Sequence, residues 1–431
     1  MTENYHHGPE IIENFTGAAS VTDVKAAVTF IQGTAPIQLV HTTPDARAPF
    51  INRNVVIRTM ADAVAAFGPP EQSAGYTIPG ALFSMFNKDT TGKGAGTFIV
   101  NNVFDPDVHK TGTTPDPTLV TAADMVGGID VAGRPKGFDV AYACYNNFGF
   151  FPRRVIAPGF TGLSGVREKM LTVANKVRGH AIYDLPPGMT KQQAIEARGV
   201  SGAFNTPSNR AVICYPQVTA LDPVSGGNTL QPYSQHFAGV WNVAALQEGP
   251  HRSPSNIAMP DVSGMETDIY FAPGAYDSDT DLLNEQGIVT LMTYYGAGIK
   301  TYGASSAAWP TLKDQMSWLH GRAVADVLED AILFYMLPYV DQWASPAIVD
   351  AVEERVRAYL HTKEPGGDGW LYGSSFAFDR TRNTAEQIAN EGRVYYRLTF
   401  SVMGIMHRIT IESFIDLSFI NTALGLVTAA A

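Results

Sequence analysis

The hydrophobic pattern of this chain changes character along its length. Residues 26–32 (Ala-Ala-Val-Thr-Phe-Ile-Gln), closed by Gly33, form a continuous apolar run of strand length, and 55–58 form another. Residues 60–67 carry apolar positions at helix spacing and stop at Gly68-Pro69-Pro70, 81–86 also read as helix, and 97–103 supply a strand before Asp105-Pro106. A second series follows: a strand at 154–156 ending in the Pro158-Gly159 turn, then an amphipathic helix at 164–178 with Val166, Met170, Val173 and Val177 on one face. A strand at 180–184, a short helix at 191–197 and a strand at 210–215 complete it. Strands alternating with helices at this pace predict parallel β-α-β crossovers in a layered α/β sheet. Residues 105–137, rich in Asp, Pro, Thr and Gly, are the best boundary between the two series, and no internal repeat is visible.

The last third reads as α+β. A long helix is predicted over 312–337, with Leu312, Met316, Leu319, Ala323, Val327, Ala331 and Phe334 on one stripe and Pro338 as the stop. A second helix is predicted from Ser345-Pro346 to Leu360, with Ser as cap and Pro at its first position. From Ile405 onward the period becomes two. Ile405, His407, Ile409, Ile411, Ser413, Ile415, Leu417 and Phe419 alternate with a mostly polar set, over a length well beyond an ordinary strand of about 5–6 residues. Such a strand is expected to bend at a bulge or to continue onto a neighbouring molecule. At the other end, Glu10, Ile11, Ile12, Glu13, Asn14 and Phe15 make a strand-sized segment with no hairpin partner beside it, so it must pair with something distant or with another chain.

Composition narrows the classes. Of 431 residues only 16% are charged, against about 25% in an ordinary soluble domain, which hints that much of the surface faces other protein. A net charge of −11 disfavours a sequence-independent nucleic-acid binder. No apolar run approaches the roughly 20 residues of a membrane span, and the N-terminus lacks the basic and apolar regions of a secretory signal. Cys144 and Cys214, far apart and without a CxxC, fit a chain made in a reducing cytosol.

Motifs for chemistry are weak. Residues 90–97 (Thr-Thr-Gly-Lys-Gly-Ala-Gly-Thr) lack the spacing of a phosphate loop, so ATP chemistry is not expected. Asp277, Asp279 and Asp281 have the first three positions of a calcium loop, but Leu282 and Ile288 stand where it needs Gly and a bidentate acid, so a helix cap is the better reading. His6-His7 lacks further metal ligands. Asp139, His180 and Ser253 follow the subtilisin order but sit in no recognisable nucleophile context, and the GxSxG elbow is absent. No catalytic residue, cofactor or metal is expected.

The chain nevertheless resembles one family. Tyr5-His6-His7-Gly8, with Glu10 and Ile12-Glu13, open it; Pro254-Ser255-Asn256 and Val262-Ser263-Gly264 follow. Next comes the stretch Asp281, Leu282, Leu283, Asn284, Glu285, Gln286, Gly287, Ile288, with Tyr302-Gly303 beyond it. In this order and spacing these residues resemble the tail sheath proteins of contractile bacteriophages, particularly the P2-like group, over the whole chain and least in 105–137 and 217–235. Pro9 departs from the apolar residue common in that group.

The resemblance implies a non-catalytic, subtilisin-like α/β middle domain, a C-terminal domain of helices and strands, and terminal arms that add strands to neighbouring subunits. The expected division is 1–22 (arm), 23–115 (N-terminal α/β), 116–305 (middle), 306–404 (C-terminal) and 405–431 (strand and arm). It also implies a structural subunit of the virion, assembled in the host cytoplasm as stacked hexameric rings. The implied partners are other copies of itself, a tail tube protein, and baseplate and tail terminator proteins, with no nucleic acid. Contraction would drive the tube through the host envelope without ATP. Arm residues would be 10–15 with Ile409, Ile411, Ile415, Leu417 and Phe419. A C-terminal helix would face the tube, making Lys313, Arg322, Arg355 and Arg357 the candidate contacts. A contractile bacteriocin sheath and a degenerate subtilisin-like hydrolase are the competing readings.

Overall fold

The computed structural model of the protein describes residues 20–424, with the side chains of 421 and 422 left aside. The predicted arm strand at 10–15 lies outside the described residues. Strand β1 (Val28–Gly33) is buried at every position, as expected of a strand covered on both faces. It sits inside an eight-stranded sheet. The others in chain order are β2 (Val55–Ile57), β3 (Thr97–Asn102), β4 (Arg154–Ile156), β5 (His180–Asp184), β6 (Ala211–Cys214), β10 (Ile288–Tyr294) and β11 (Gly298–Tyr302), ordered β11-β10-β6-β5-β4-β1-β3-β2 in space. The inner six run parallel and the two edge strands antiparallel.

Alternate side chains along these strands feed two cores. Ile31, Phe98, Ile156, Ile182, Val212 and Val289 face one side, under the helices Met60–Phe67, Ile78–Phe86 and Tyr233–Gln247. Phe30, Ile99, Val155, Tyr183, Ile213 and Ile288 face the other, under Val166–Val177, Lys191–Arg198 and Asp279–Glu285. On the first side lies a small antiparallel sheet of β7 (Val218–Leu221), β8 (Asn228–Gln231) and β9 (Val262–Met265), ordered β8-β7-β9. A third core joins the long helix Leu319–Met336, the helix Pro346–His361 and a hairpin of β12 (Leu371–Phe378) with β13 (Tyr396–Val402). The architecture is mixed α/β with an α+β C-terminal body.

Three expectations change. The boundary at 115/116 does not separate two units, because β1 pairs with β3 on one side and with β4 on the other, so both series build one sheet. The residues on both sides of the expected boundary at 22/23 belong elsewhere: Val21 from the arm and Val24 and Ala26 from the N-terminal domain pack into the third core, and Asp23 accepts a hydrogen bond from Tyr359 and pairs with Lys363. The long helix begins at Leu319 rather than 312. Asp314 caps a single 3-10 turn by accepting from the Ser317 amide at 2.8 Å, and Trp318 is extended.

The stretch of the family likeness is a helix-to-strand turn. Asp279–Glu285 starts on a Ser278 cap, Leu283 is fully buried, and Gly287 turns the chain into β10. Gly287 has φ +68°, and a Cβ there would lie 2.7 Å from the Ser306 carbonyl oxygen and 2.8 Å from that of Trp309. Gly287→Ala should therefore cost about 2 kcal/mol or more in denaturant unfolding. An unchanged midpoint would show that the turn is not held in this conformation.

Candidate functional site

In a doubly wound sheet, a ligand sits beyond the carboxyl ends of the strands where the chain order reverses. Here that place is at β1, flanked by β3 and β4, and it is filled with protein. Gln32 Nε2 donates to the Met125 carbonyl at 2.6 Å, and Asn101 Nδ2 donates to Gln32 Oε1 and to the Gly137 carbonyl, each at 2.9 Å. Both side chains are fully buried beneath the helix Ala122–Val126 and the turn Gly137–Ala143.

The residues in subtilisin order serve separate purposes. Asp139 pairs with Lys169, His180 lies against Trp241, and Ser253 Oγ accepts from the Ser255 amide; no hydrogen bond joins the three among the described residues. Asp279 accepts from Lys191 and from the Tyr270 amide, while Asp281 accepts from the Ser278 hydroxyl, so these acids start a helix. The buried Lys88 bridges Asp261 and His236; burial lowers its pKa to about 8 despite the opposing Asp261 charge. Burial raises Asp184 to about 6 against two hydrogen bonds from Ser234. These ionisable groups tie elements together.

The surface that asks for a partner is in the C-terminal body. β12 and β13 pair antiparallel from Leu371↔Val402 to Phe378↔Tyr396, with a bulge between Leu371 and Gly373. Leu371, Phe376 and Val402 turn inward onto the two helices. Neither outer edge of this hairpin is paired with a further strand among the described residues. Beyond Val402 the chain is anchored briefly: Met403 N–H donates to the Trp370 carbonyl, His320 Nε2 donates to the Met403 carbonyl, and the His407 ring lies 4.8 Å from that of Trp318.

From there the predicted long strand has no ladder within the described chain. Ile409, Ile411, Phe414, Ile415, Leu417 and Phe419 each expose between 67% and 91% of their surface, far more than apolar side chains facing a core of their own. Phe419 stands in the helix Ser418–Leu424, so the period-two run ends in a helical turn rather than passing through it.

The four cationic candidates divide. Arg322 is occupied inside the molecule, pairing with Asp326 at 2.9 Å and Glu329 at 3.3 Å with 13% of its side chain exposed, which removes it from the free outer face. Arg357 pairs with Glu353 and donates to the Phe376 carbonyl. Lys313 is exposed beside the Trp309 ring, ahead of the long helix rather than on it. Arg355 is exposed and lines an open groove of ≈ 290 Å³ with Val21, Asp23, Tyr359 and Lys363.

Sequence reasoning did not foresee the seam that locks the long helix to the sheet. Arg210 grips Asp326 with two hydrogen bonds of 2.7 Å, Arg153 pairs with Asp330 at 2.6 Å, and Arg178 reaches Glu329 and Asp330. The available signal was Asp326, Glu329 and Asp330 at helical spacing inside an otherwise apolar stripe.

The fold and this unpaired C-terminal edge define a structural subunit. The family "Phage tail sheath protein central domain" matches residues 131–306. The tail sheath protein of Burkholderia phage BcepMu is 30% identical over 99% of this chain and 100% of its own length, and the tail sheath protein of Escherichia phage P2 is 20% identical over 95% of each. The contracted helical sheath of the anti-feeding prophage has the same fold, with a TM-score of 0.66 at 16% identity over 95% of this chain and 99% of that one. The chain belongs to the phage tail sheath protein family.

If the seam fixes the long helix, Asp326→Ala leaves Arg210 and Arg322 facing each other without their shared carboxylate. The expected loss is about 3–5 kcal/mol in chemical denaturation. A loss below about 1 kcal/mol would mean that the helix is held by its apolar face alone.

Proposed function

We propose that many copies of this chain stack as hexameric rings around a tail tube and contract to push that tube through a host envelope. The observation that carries the proposal is the pairing deficit of the C-terminal body: a hairpin with no further strand on either edge among the described residues, followed along the chain by a run of exposed apolar residues. Main-chain hydrogen bonding between extended segments is indifferent to most side chains, so an arm added to β12 or β13 tethers subunits while their other contacts change. The described part begins at residue 20, and Val21 packs on the same core as the hairpin. Both arms thus leave from one body.

The described body suits a subunit that moves as a unit, since one sheet spans residues 28–302 and the buried ion pairs bind the long helix to it. The extended lattice is a kinetically trapped state, and contraction releases energy by burying more surface between subunits, without ATP. The layered middle region is subtilisin-like in layout and has no catalytic task, in keeping with the separate partners of Asp139, His180 and Ser253. Lys313, Arg355 and Arg357 are the exposed cations left to face a tube, and the baseplate and terminator proteins complete the virion tail in the host cytoplasm. Likeness in fold to the anti-feeding prophage sheath keeps a bacteriocin-type particle as the second reading, which the presence or absence of capsid genes beside this one decides.

A chain lacking residues 1–14 is expected to fold, with an unchanged unfolding midpoint, yet to form no sheath-like tubes by electron microscopy. Normal tubes from the shortened chain would end the tether account.

A further inference from the structure

Arg154 is a buried guanidinium without a counter-ion among the described residues. It is 2% exposed, and its hydrogen bonds go to neutral oxygens: Nη1 donates to the Ala26 carbonyl at 3.0 Å and to Asn242 Oδ1 at 2.9 Å, and Nη2 donates to the Trp241 carbonyl at 3.3 Å. Its Nε–H has no hydrogen-bond partner among the described residues, and the same is true of Trp241 Nε1–H and of His180 Nε2. The other two side chains are equally hidden, with Trp241 0% and His180 2% exposed. The three groups are adjacent. The Arg154 guanidinium lies 4.6 Å from the centre of the Trp241 ring, and the His180 ring lies 4.8 Å from it.

All three line one small cavity, whose other walls are Ala26, Pro250, Ala323 and Val327 with the paired Arg153, Arg178 and Asp326. It leaves ≈ 10 Å³ for the centre of a water-sized sphere, which is room for one small occupant. The charges around it do not cancel. Arg153, Arg154, Arg178, Arg210 and Arg322 gather at the seam against Asp326, Glu329 and Asp330, and each of these acids is already held by two of the other arginines. Burial, and then the charges of Arg210, Arg154 and Arg322, hold His180 well below its ordinary pKa against a hydrogen bond to the Arg153 backbone, so its ring is neutral. Burial and the neighbouring Arg153 likewise push Arg154 down from its ordinary range.

We infer that this cavity binds one monatomic anion of chloride size, held by Arg154 Nε–H and Trp241 Nε1–H. A water molecule fits the space but leaves the surplus of five arginines over three acids uncompensated. A cation adds to that surplus. An anion accepts from the arginine and the indole and neutralises Arg154 where strands β4 and β5, the Tyr233–Gln247 helix and the long helix meet. The ion is thus a structural ligand of the seam between the sheet and the C-terminal body.

The test is thermal unfolding of the full chain while sodium chloride replaces sodium gluconate at constant ionic strength. The expected result is a saturable rise of the midpoint by about 2–4 °C, in line with ligand linkage to the folded state. Trp241→Phe, which keeps an aromatic ring and removes the N–H, and Arg154→Met should each abolish the chloride dependence. Equal midpoints in chloride and gluconate overturn the assignment, and so does a rise of the same size in both variants, which marks an adventitious ion elsewhere. Where a variant does not fold, crystals of the unsubstituted protein grown in sodium bromide decide. An anomalous bromine peak between Arg154 Nε and Trp241 Nε1 supports the site, and a map without one overturns it.

Discussion

A strip of apolar side chains that its own chain leaves in water is the constraint on which the rest of this molecule depends. Burying a large aliphatic or aromatic side chain is worth about 1.5–3 kcal/mol, and six such residues between Ile409 and Phe419 forgo it in the isolated subunit. Neither edge of the β12–β13 hairpin carries a further strand among the described residues, and only side chains such as Glu353 and Gln315 reach their outward amides. Ordering a free segment costs about 1–2 kcal/mol per residue, so burial on a neighbour and strand pairing must act together to fix it. A chain built this way is incomplete alone. Its low charge fits the same need, because surface destined for contact with other subunits is poorly served by fixed ions.

The remainder of the fold gives the strip something firm to act through. Six parallel strands with a core on each face make one slab, and the reversal point that would hold a ligand is packed with Gln32, Asn101 and the segment above them. The third core is fastened to the slab by arginines from β4, β5 and β6 or their flanks, reaching the acidic face of the long helix. Buried ion pairs add little net stability, but they fix orientation, since no shifted register satisfies the same charges. The hairpin's core is therefore held to the sheet in one orientation.

Much of this was legible in the sequence where the signal is local. The buried strands at 28–33, 97–102 and 154–156 read as apolar runs, and the alternation after Ile405 falls on a segment whose apolar side chains are exposed in the described chain. Non-local pairing was not legible. The Pro- and Gly-rich stretch 105–137 looks like a linker, yet β1 holds strands from before and after it. The stripe from Leu312 suggested a longer helix because periodicity cannot see Asp314 and Ser317 capping each other. Arg322 read as a free surface cation because its partners are chosen by packing. Arg154, His180 and Trp241 carry no motif at all, and only the fold brings them to one cavity.

The central claim is that residues 405–417 gain strand partners only between subunits. Hydrogen exchange of their main-chain amides, compared between the isolated chain and the assembled tubes, tests it directly. The account predicts fast exchange in the isolated chain and slowing by about a hundredfold or more on assembly, with the outer-edge amides of β12 or β13 slowing alongside. Equally fast exchange of 405–417 in both states would contradict it.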